Sequence, residues 1–236
     1  MAIYESRLTG RKEIAEGTME FTLEKPKDFK FRAGQFFDLI LDAQPDTEKR
    51  DHVHAFSFVN APCEDHIAII TRMRASPFKD ALRALPLGSS VKMDAAFGAF
   101  TLPKNESKII VFLIGGVGIT PVHSMIAQAT HDQTAHKITL LYANDTKARA
   151  PLADELQRLA QKNPNFTFVP VYAEEQVEGA EHGRIDAAMV KRHVPDLSTP
   201  ICYMSGPPGM VRAMRELLMS LDADEDNLRT EEFDGY

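Results

Sequence analysis

Through the first hundred residues, apolar positions come in short runs broken by turn-forming residues. Glu5–Ile14 and Thr18–Lys25 flank a Glu-Gly turn, and Gly34–Leu41, His54–Asn60, Ile67–Met73 and Val91–Ala95 follow. Short runs with turn signals between them predict antiparallel strands in a barrel or a sandwich. One helix interrupts, over Pro77–Leu85. Ser76 stands at its N-cap and Pro77 at the first helical position, where a missing N–H costs nothing.

After Pro103 the rhythm changes. Lys108–Ile114 is a continuous β-branched run ending in Gly115-Gly116, and a helical pattern follows from Pro121 to about Thr130. Strands at Lys137–Asn144, Phe166–Tyr172 and Pro200–Ser205 alternate with helices at Pro151–Lys162, Arg184–His193 and Gly209–Leu221, and a last strand lies near Asn227–Glu231. Strands apolar on both faces, alternating with helices, predict a doubly wound parallel sheet. The polar stretch Lys104–Ser107 separates the two patterns, which places one domain at residues 1–105 and a second at 106–236.

Composition narrows the function. The net charge of −7 is spread along the chain and no block of lysine and arginine offers a surface for phosphates, which argues against nucleic acid. The longest apolar run, Ile109–Ile114, is too short to span a bilayer, and the first residues lack the apolar core of a secretion signal, so the expectation is a soluble cytoplasmic protein without a membrane partner. Two cysteines, Cys63 and Cys202, are too few for a four-cysteine iron–sulfur cluster. Any electrons that pass through this chain use an organic carrier, or a cluster on another protein. His52 and His54 lie two apart, but no third ligand accompanies them, so no metal site is expected.

The strongest local signal is Gly115-Gly116-Val117-Gly118-Ile119-Thr120-Pro121, between a buried strand and a helix. Glycines there let backbone approach a diphosphate, and the helix start presents unpaired N–H groups to its charge. A second glycine turn, Ser205-Gly206-Pro207-Pro208, ends a later strand. Ligands of doubly wound sheets sit outside the carboxyl ends of strands, so both turns point to one crevice.

In their order along the chain, these segments resemble the ferredoxin–NADP reductase superfamily. The resemblance runs through Arg32-Ala33-Gly34-Gln35-Phe36, His54-Ala55-Phe56-Ser57, Thr71-Arg72-Met73-Arg74 with Ser76-Pro77, Phe97-Gly98-Ala99-Phe100-Thr101-Leu102, the two glycine turns, and the C-terminal Glu231–Tyr236. It implies an N-terminal antiparallel β-barrel that holds flavin and a C-terminal α/β domain that holds NADH or NADPH. Hydride would pass from nicotinamide to flavin, with FAD preferred over FMN. Ser57 and Ser205 would stand at the reacting atoms. The flavin would be held by His54, Phe56, Ser57, Arg72, Arg74, Ser76, Gly98, Phe100 and Thr101, with Tyr236 stacked on its ring. The nicotinamide nucleotide would be held by Gly115, Gly116, Gly118, Thr120, Pro121, Gly206 and Pro207.

The chain departs from the family pattern in two places that bear on chemistry. His54 replaces an arginine, and histidine has fewer donors and is mostly neutral near pH 7, so Arg72, Arg74 and Lys79 are the candidates to take over the phosphates. Ser205 replaces a cysteine. Separately, Asp145 follows the second strand of the nucleotide domain, where a carboxylate accepts bonds from ribose hydroxyls and repels a 2′-phosphate. Asp145 therefore favours NADH, while the nearby Lys147 and Arg149 point toward NADPH.

Three functions stay open. One is an FAD-bound reductase that passes electrons to a separate protein such as a ferredoxin. The second is an NAD(P)H:flavin oxidoreductase that uses flavin as a diffusing substrate. The third is a redox-silent nucleotide-binding subunit of a complex.

Overall fold

The computed structural model describes residues 2–41 and 52–233. Strands β1 (Ala2–Ala15), β2 (Thr18–Glu24), β3 (Phe36–Ile40), β4 (Val53–Ser57), β5 (His66–Arg72) and β6 (Ser90–Phe97) form an antiparallel sheet in the order β4-β3-β6-β1-β2-β5. Strand β1 serves two partners. Residues up to Arg7 pair with β6, and those from Leu8 onward pair with β2 through two register shifts. Bulges of this kind bend a strand and increase its twist, which lets the sheet coil. The ends meet where Val59 N donates to Ala68 O of β5 (3.0 Å). Inside lie Leu8, Phe21, Phe37, Phe58 and Ile67, none of them exposed, with Phe31 stacked 4.0 Å from Phe58.

Two strands are shorter than their sequence pattern, for physical reasons. Gly34 stands at φ +93°, and a Cβ there would collide with the Phe100 carbonyl, so β3 begins only after that turn. Strand β4 ends at Ser57 because Phe58 and Val59 turn their N–H groups to Gln35 and to β5. His52 precedes β4, so it does not share a strand face with His54 as expected. Helix α1 (Pro77–Ala84) has Ser76 at its N-cap and proline in its first turn, but the Ser76 side chain makes no capping bond.

The second sheet is parallel throughout. Its strands are β7 (Ile109–Gly115), β8 (Lys137–Asn144), β9 (Phe166–Tyr172), the two-residue β10 (Glu181–His182), β11 (Ile201–Gly206) and β12 (Leu228–Glu232), in the order β10-β9-β8-β7-β11-β12. Helices α2 (Ile119–Asp132) and α3 (Ala153–Lys162) cover the face formed by Ile110, Phe112 and Ile114. Helices α4 (Ala187–His193) and α5 (Pro208–Ser220) cover the face formed by Val111 and Leu113. Because consecutive β-branched and aromatic residues of β7 feed both layers, the strand reads as unbroken apolar sequence. The chain winds from β7 outward to β9 and then returns to β11 on the other side of β7. The topological switch therefore lies between β7 and β11, where open α/β sheets bind ligands.

Helix α2 also packs on the barrel. Ser124 Oγ donates to Asn60 O (2.7 Å), and Cys63 N donates to Gln128 Oε1 (3.1 Å). Among the described residues, no helix is long and apolar enough to cross a membrane.

Candidate functional site

Both glycine turns lie at the switch point and interlock. An ideal Cβ on Gly118 would stand 2.5 Å from the Ser205 carbonyl, and one on Gly115 would strike the Met210 sulfur. Gly206 at φ +150° has its Cβ position 3.0 Å from the Gly115 carbonyl oxygen. The turns approach closely because neither carries a side chain there. Gly116–Gly118 form one 3₁₀ turn that runs into α2, whose first turn holds no acidic residue. The partial positive charge of that helix start is thus left to an anion. Thr120, almost fully buried, turns its hydroxyl back onto Val117 O (3.0 Å).

Facing these turns is the end of β4. His54, Phe56 and Ser57 line two adjoining clefts. One continues along Thr71, Arg72, Lys79, Val117 and Thr120, and the other along Phe36, Glu231 and Glu232. Phe233 borders both, held by its N–H on Gly206 O (3.0 Å). Alternation along β4 sends Phe56 inward, where it packs on Phe78. The His54 ring stacks on Phe56 at 4.9 Å, and its Nδ1 donates to Ala55 O (2.9 Å).

Charge divides the site. On the barrel side Arg72 and Lys79 face the cleft, and Lys79 Nζ donates to Arg72 O (2.9 Å). Burial, with the nearby Arg74 charge, pushes the Lys79 ammonium below its ordinary value. On the sheet side burial pushes the Glu231 carboxyl up to about 7. Several buried polar atoms have no partner among the described residues: Glu231 Oε2, Ser205 Oγ, Arg72 Nε, and both amide atoms of Asn144 at the end of β8. A buried polar atom without a partner costs ~1–3 kcal/mol, and two of these residues, Arg72 and Glu231, line the clefts, where a ligand would supply the missing partner.

The residues expected from sequence separate into three groups. His54, Phe56, Ser57, Arg72 and Thr120 line the cleft, and Gly115, Gly116, Gly118, Pro121, Ser205, Gly206 and Pro207 form or adjoin the interlocked turns. Others stand off it. Arg74 is exposed, Ser76 begins α1, and Gly98 at φ +95° lies behind the Phe36 ring. Phe100 is buried in the core under the parallel sheet, edge-on to Tyr203 at 5.1 Å. Thr101 Oγ1 accepts from Arg32 (2.9 Å), and its carbonyl accepts from Tyr203 (2.8 Å). Asp145 pairs with Arg149 at 2.7 Å, which joins the residue expected to favour NADH to one expected to favour NADPH. Tyr236 lies outside the described residues. Glu231, Phe233 and Asn144 carry no role in the sequence reading, although Glu231 and Phe233 lie in the C-terminal segment that bears the resemblance. The strand Leu228–Glu232 pairs with β11 and carries Glu231 beside Ser205. Among the described residues there is no cluster of three or more histidine, cysteine or acidic side chains able to hold a metal.

Residues 112–216 match the family described as the oxidoreductase NAD-binding domain. NADH-cytochrome b5 reductase 1 of Lodderomyces elongisporus is 31% identical over 143 residues, covering 59% of this chain and 48% of that protein. The reductase component of propane 2-monooxygenase from Rhodococcus jostii is 24% identical over 217 residues, covering 89% of this chain and 57% of that protein. The chain thus spans about half the length of the curated relatives it matches. The flavohem-like FAD/NAD binding domain of nitric oxide dioxygenase from Vibrio cholerae superposes with a TM-score of 0.85 at 18% identity, covering 97% of this chain and 98% of that one. A ferredoxin NADP+ reductase from Neisseria gonorrhoeae with bound FAD and NADP gives 0.82 at 20% identity, covering 98% of each. These two likenesses establish the barrel-plus-parallel-sheet architecture.

Proposed function

We propose that this chain is a member of the ferredoxin–NADP reductase superfamily and a flavin-dependent NAD(P)H oxidoreductase that delivers electrons to a separate acceptor. The observation that carries this reading is the pair of interlocked glycine turns opening onto the cleft of Phe56 and Ser57. FAD, when bound, takes up a hydride equivalent and releases electrons singly or as a pair.

The chain's own residues supply position and charge. Phe56, Phe36 and Phe233 give apolar surface suited to a flat ring, and Ser57 gives a hydroxyl beside it. Arg72, Lys79 and the start of α1 form the cationic end suited to the flavin diphosphate. The start of α2, with Thr120 and the Gly206-Pro207 turn, takes the nicotinamide nucleotide, and Asn144 offers its amide to the adenosine end. Ser205 and Glu231, paired across β11 and β12, would lie beside the nicotinamide. Glu231 holds its proton below about pH 7 and gives it up above. As a carboxylate it favours the positive charge that a nicotinamide ring gains on losing hydride. The acceptor we propose is a small electron-carrier protein such as a ferredoxin.

His54 supports a second reading. Its ring is packed on Phe56 and Phe78 instead of reaching out as a cationic fork, which leaves fewer donors for the diphosphate. On that reading flavin is a diffusing substrate. A visible spectrum of purified, undialysed protein followed by anaerobic NADH addition separates the two. A flavin band that bleaches supports the bound-flavin reductase. Colourless protein that oxidises NADH only with added flavin supports the second reading, and no reaction in either case rejects both.

A further inference from the structure

Helix α2 does more than end the glycine loop. His123, one turn into it, is only 4% exposed. Its Nδ1 donates to Val59 O at 2.8 Å, and its Nε2 lies 3.3 Å from Glu155 Oε1 of α3, an ion pair looser than an aligned hydrogen bond. Val59 and Asn60 are the residues by which the chain crosses to β5 just after Ser57, and Ser124 grips Asn60 alongside. One imidazole therefore ties the exit of the β4 strand to two helices of the other domain.

Both of its nitrogens face acceptors. A neutral imidazole has one N–H and can satisfy only one of them, whereas an imidazolium satisfies both. The charged groups around it agree with the second form. Glu155 faces it directly and Glu64 adds negative charge from the loop after β4. Lys12 of β1 and Arg158 of α3 act on Glu155, and Lys12 is itself paired with Glu20 at 3.0 Å. Burial alone would push the imidazole down. The nearby Glu155 carboxylate, the Val59 carbonyl and Glu64 outweigh it and hold His123 above the ordinary histidine value. Reciprocally, the adjacent His123 ring holds the Glu155 carboxyl below its ordinary value against the pull of burial.

We propose that His123, as an imidazolium, is the positioning residue that fixes the strand bearing Phe56 and Ser57 against α2 and α3, and that hydride transfer slows when this proton is lost. The rate clause rests on the function proposed above, and the titration does not. With one proton gone, either the Val59 carbonyl or the Glu155 carboxylate faces a lone pair, and that arm of the clasp opens. Hydride transfer is steeply sensitive to donor–acceptor distance, since a displacement of order 1 Å costs about a hundredfold.

The test uses flavin-loaded wild type, His123→Gln and Glu155→Gln. Histidine ring signals followed by NMR against pH, with His123→Gln identifying the resonance, should place the His123 midpoint above 6.5. In Glu155→Gln it should fall by about one pH unit, since a carboxylate this close shifts a partner by roughly one to three. Anaerobic stopped-flow reduction by NADH should slow about tenfold as pH rises through that midpoint. In Glu155→Gln the fall should move to lower pH with the titration. In His123→Gln it should disappear, because glutamine donates to Val59 but carries no titrating charge. A midpoint below 6.5, or a fall that stays in place in Glu155→Gln, overturns the proposal. If His123→Gln does not fold, Glu155→Gln decides alone, because it keeps the imidazole. A chain that never reduces flavin overturns the rate clause together with the proposed function, while the titration and its shift still decide the clasp.

Discussion

Replacing Glu231 with glutamine isolates the energy stored in the cleft. Burial carries this carboxyl from 4.5 in the ordinary state to about 7 in the folded chain. Well below pH 4.5 it is neutral both folded and unfolded and contributes no pH dependence. As pH rises from 4.5 the unfolded chain ionises while the folded chain keeps its proton, so the folded state loses stability until about pH 7 and holds that loss above. At ~1.4 kcal/mol for each pH unit the full loss is ~3 kcal/mol, and partial solvent access brings it to about 2. Glutamine removes the ionisation while leaving an amide with few partners, a cost of about 1 kcal/mol that is the same at every pH. The informative quantity is thus the difference between two pH values, not the stability at either.

Urea unfolding at pH 5 and pH 8, with flavin at one saturating concentration, reads this directly. Relative to wild type, Glu231→Gln should gain about 2 kcal/mol more at pH 8 than at pH 5, with an unchanged dependence on urea. A difference below about 0.5 kcal/mol would mean that the carboxyl ionises freely in the folded protein, and the assignment of a proton-holding group beside Ser205 would fall.

Other perturbations probe the rest of the site. Gly118→Ala puts a methyl 2.5 Å from the Ser205 backbone, so it should cost ~1–3 kcal/mol of stability and raise KM for the nicotinamide nucleotide about tenfold, with flavin affinity unchanged. Equal loss of both ligands would show that the turns do not divide the two sites. Lys79→Met removes a buried cation from the end of the cleft proposed for the flavin diphosphate, so flavin titration should show roughly tenfold weaker binding while thermal stability holds or rises; retained affinity would exclude Lys79 from that role. Asp145→Ala should free the Arg149 guanidinium and move the NADPH-to-NADH ratio of kcat/KM toward NADPH by about tenfold. An unmoved ratio would place the ribose elsewhere.

The two folding patterns were legible because each is local. Alternation within β2 and the unbroken Ile-Ile-Val-Phe-Leu-Ile of β7 follow directly from burial on one face or on two. The glycine turns were legible as punctuation, but their contact with each other comes only from β7 and β11 being neighbours. Glu231 was hidden for the same reason. In sequence it is one of several acidic residues near the C-terminus, and its burial is created by pairing with Ser205 far away in the chain. Phe100 shows the reverse situation. Its motif places it with the barrel, yet the segment after β6 runs beneath the parallel sheet and delivers the ring to Tyr203. The Asp145–Arg149 pair was within reach, because a spacing of four places the two side chains together wherever the backbone coils.

Under the proposed function, Glu231 and His123 act on one step with opposite sign. Glu231 favours the cationic nicotinamide only after losing its proton, so it contributes a rising limb near pH 7. His123 holds the domains in register only while it keeps its proton, so it contributes a falling limb above the ordinary histidine range. A bell-shaped profile by itself assigns neither group. Deleting the limbs separately does: Glu231→Gln should abolish the rise and leave the fall, whereas His123→Gln should abolish the fall and leave the rise. The two side chains share no partner and lie on different elements, α2 and β12, so each deletion should act on its own limb. If either variant removes both limbs, a single group governs the step and one of the two assignments is wrong.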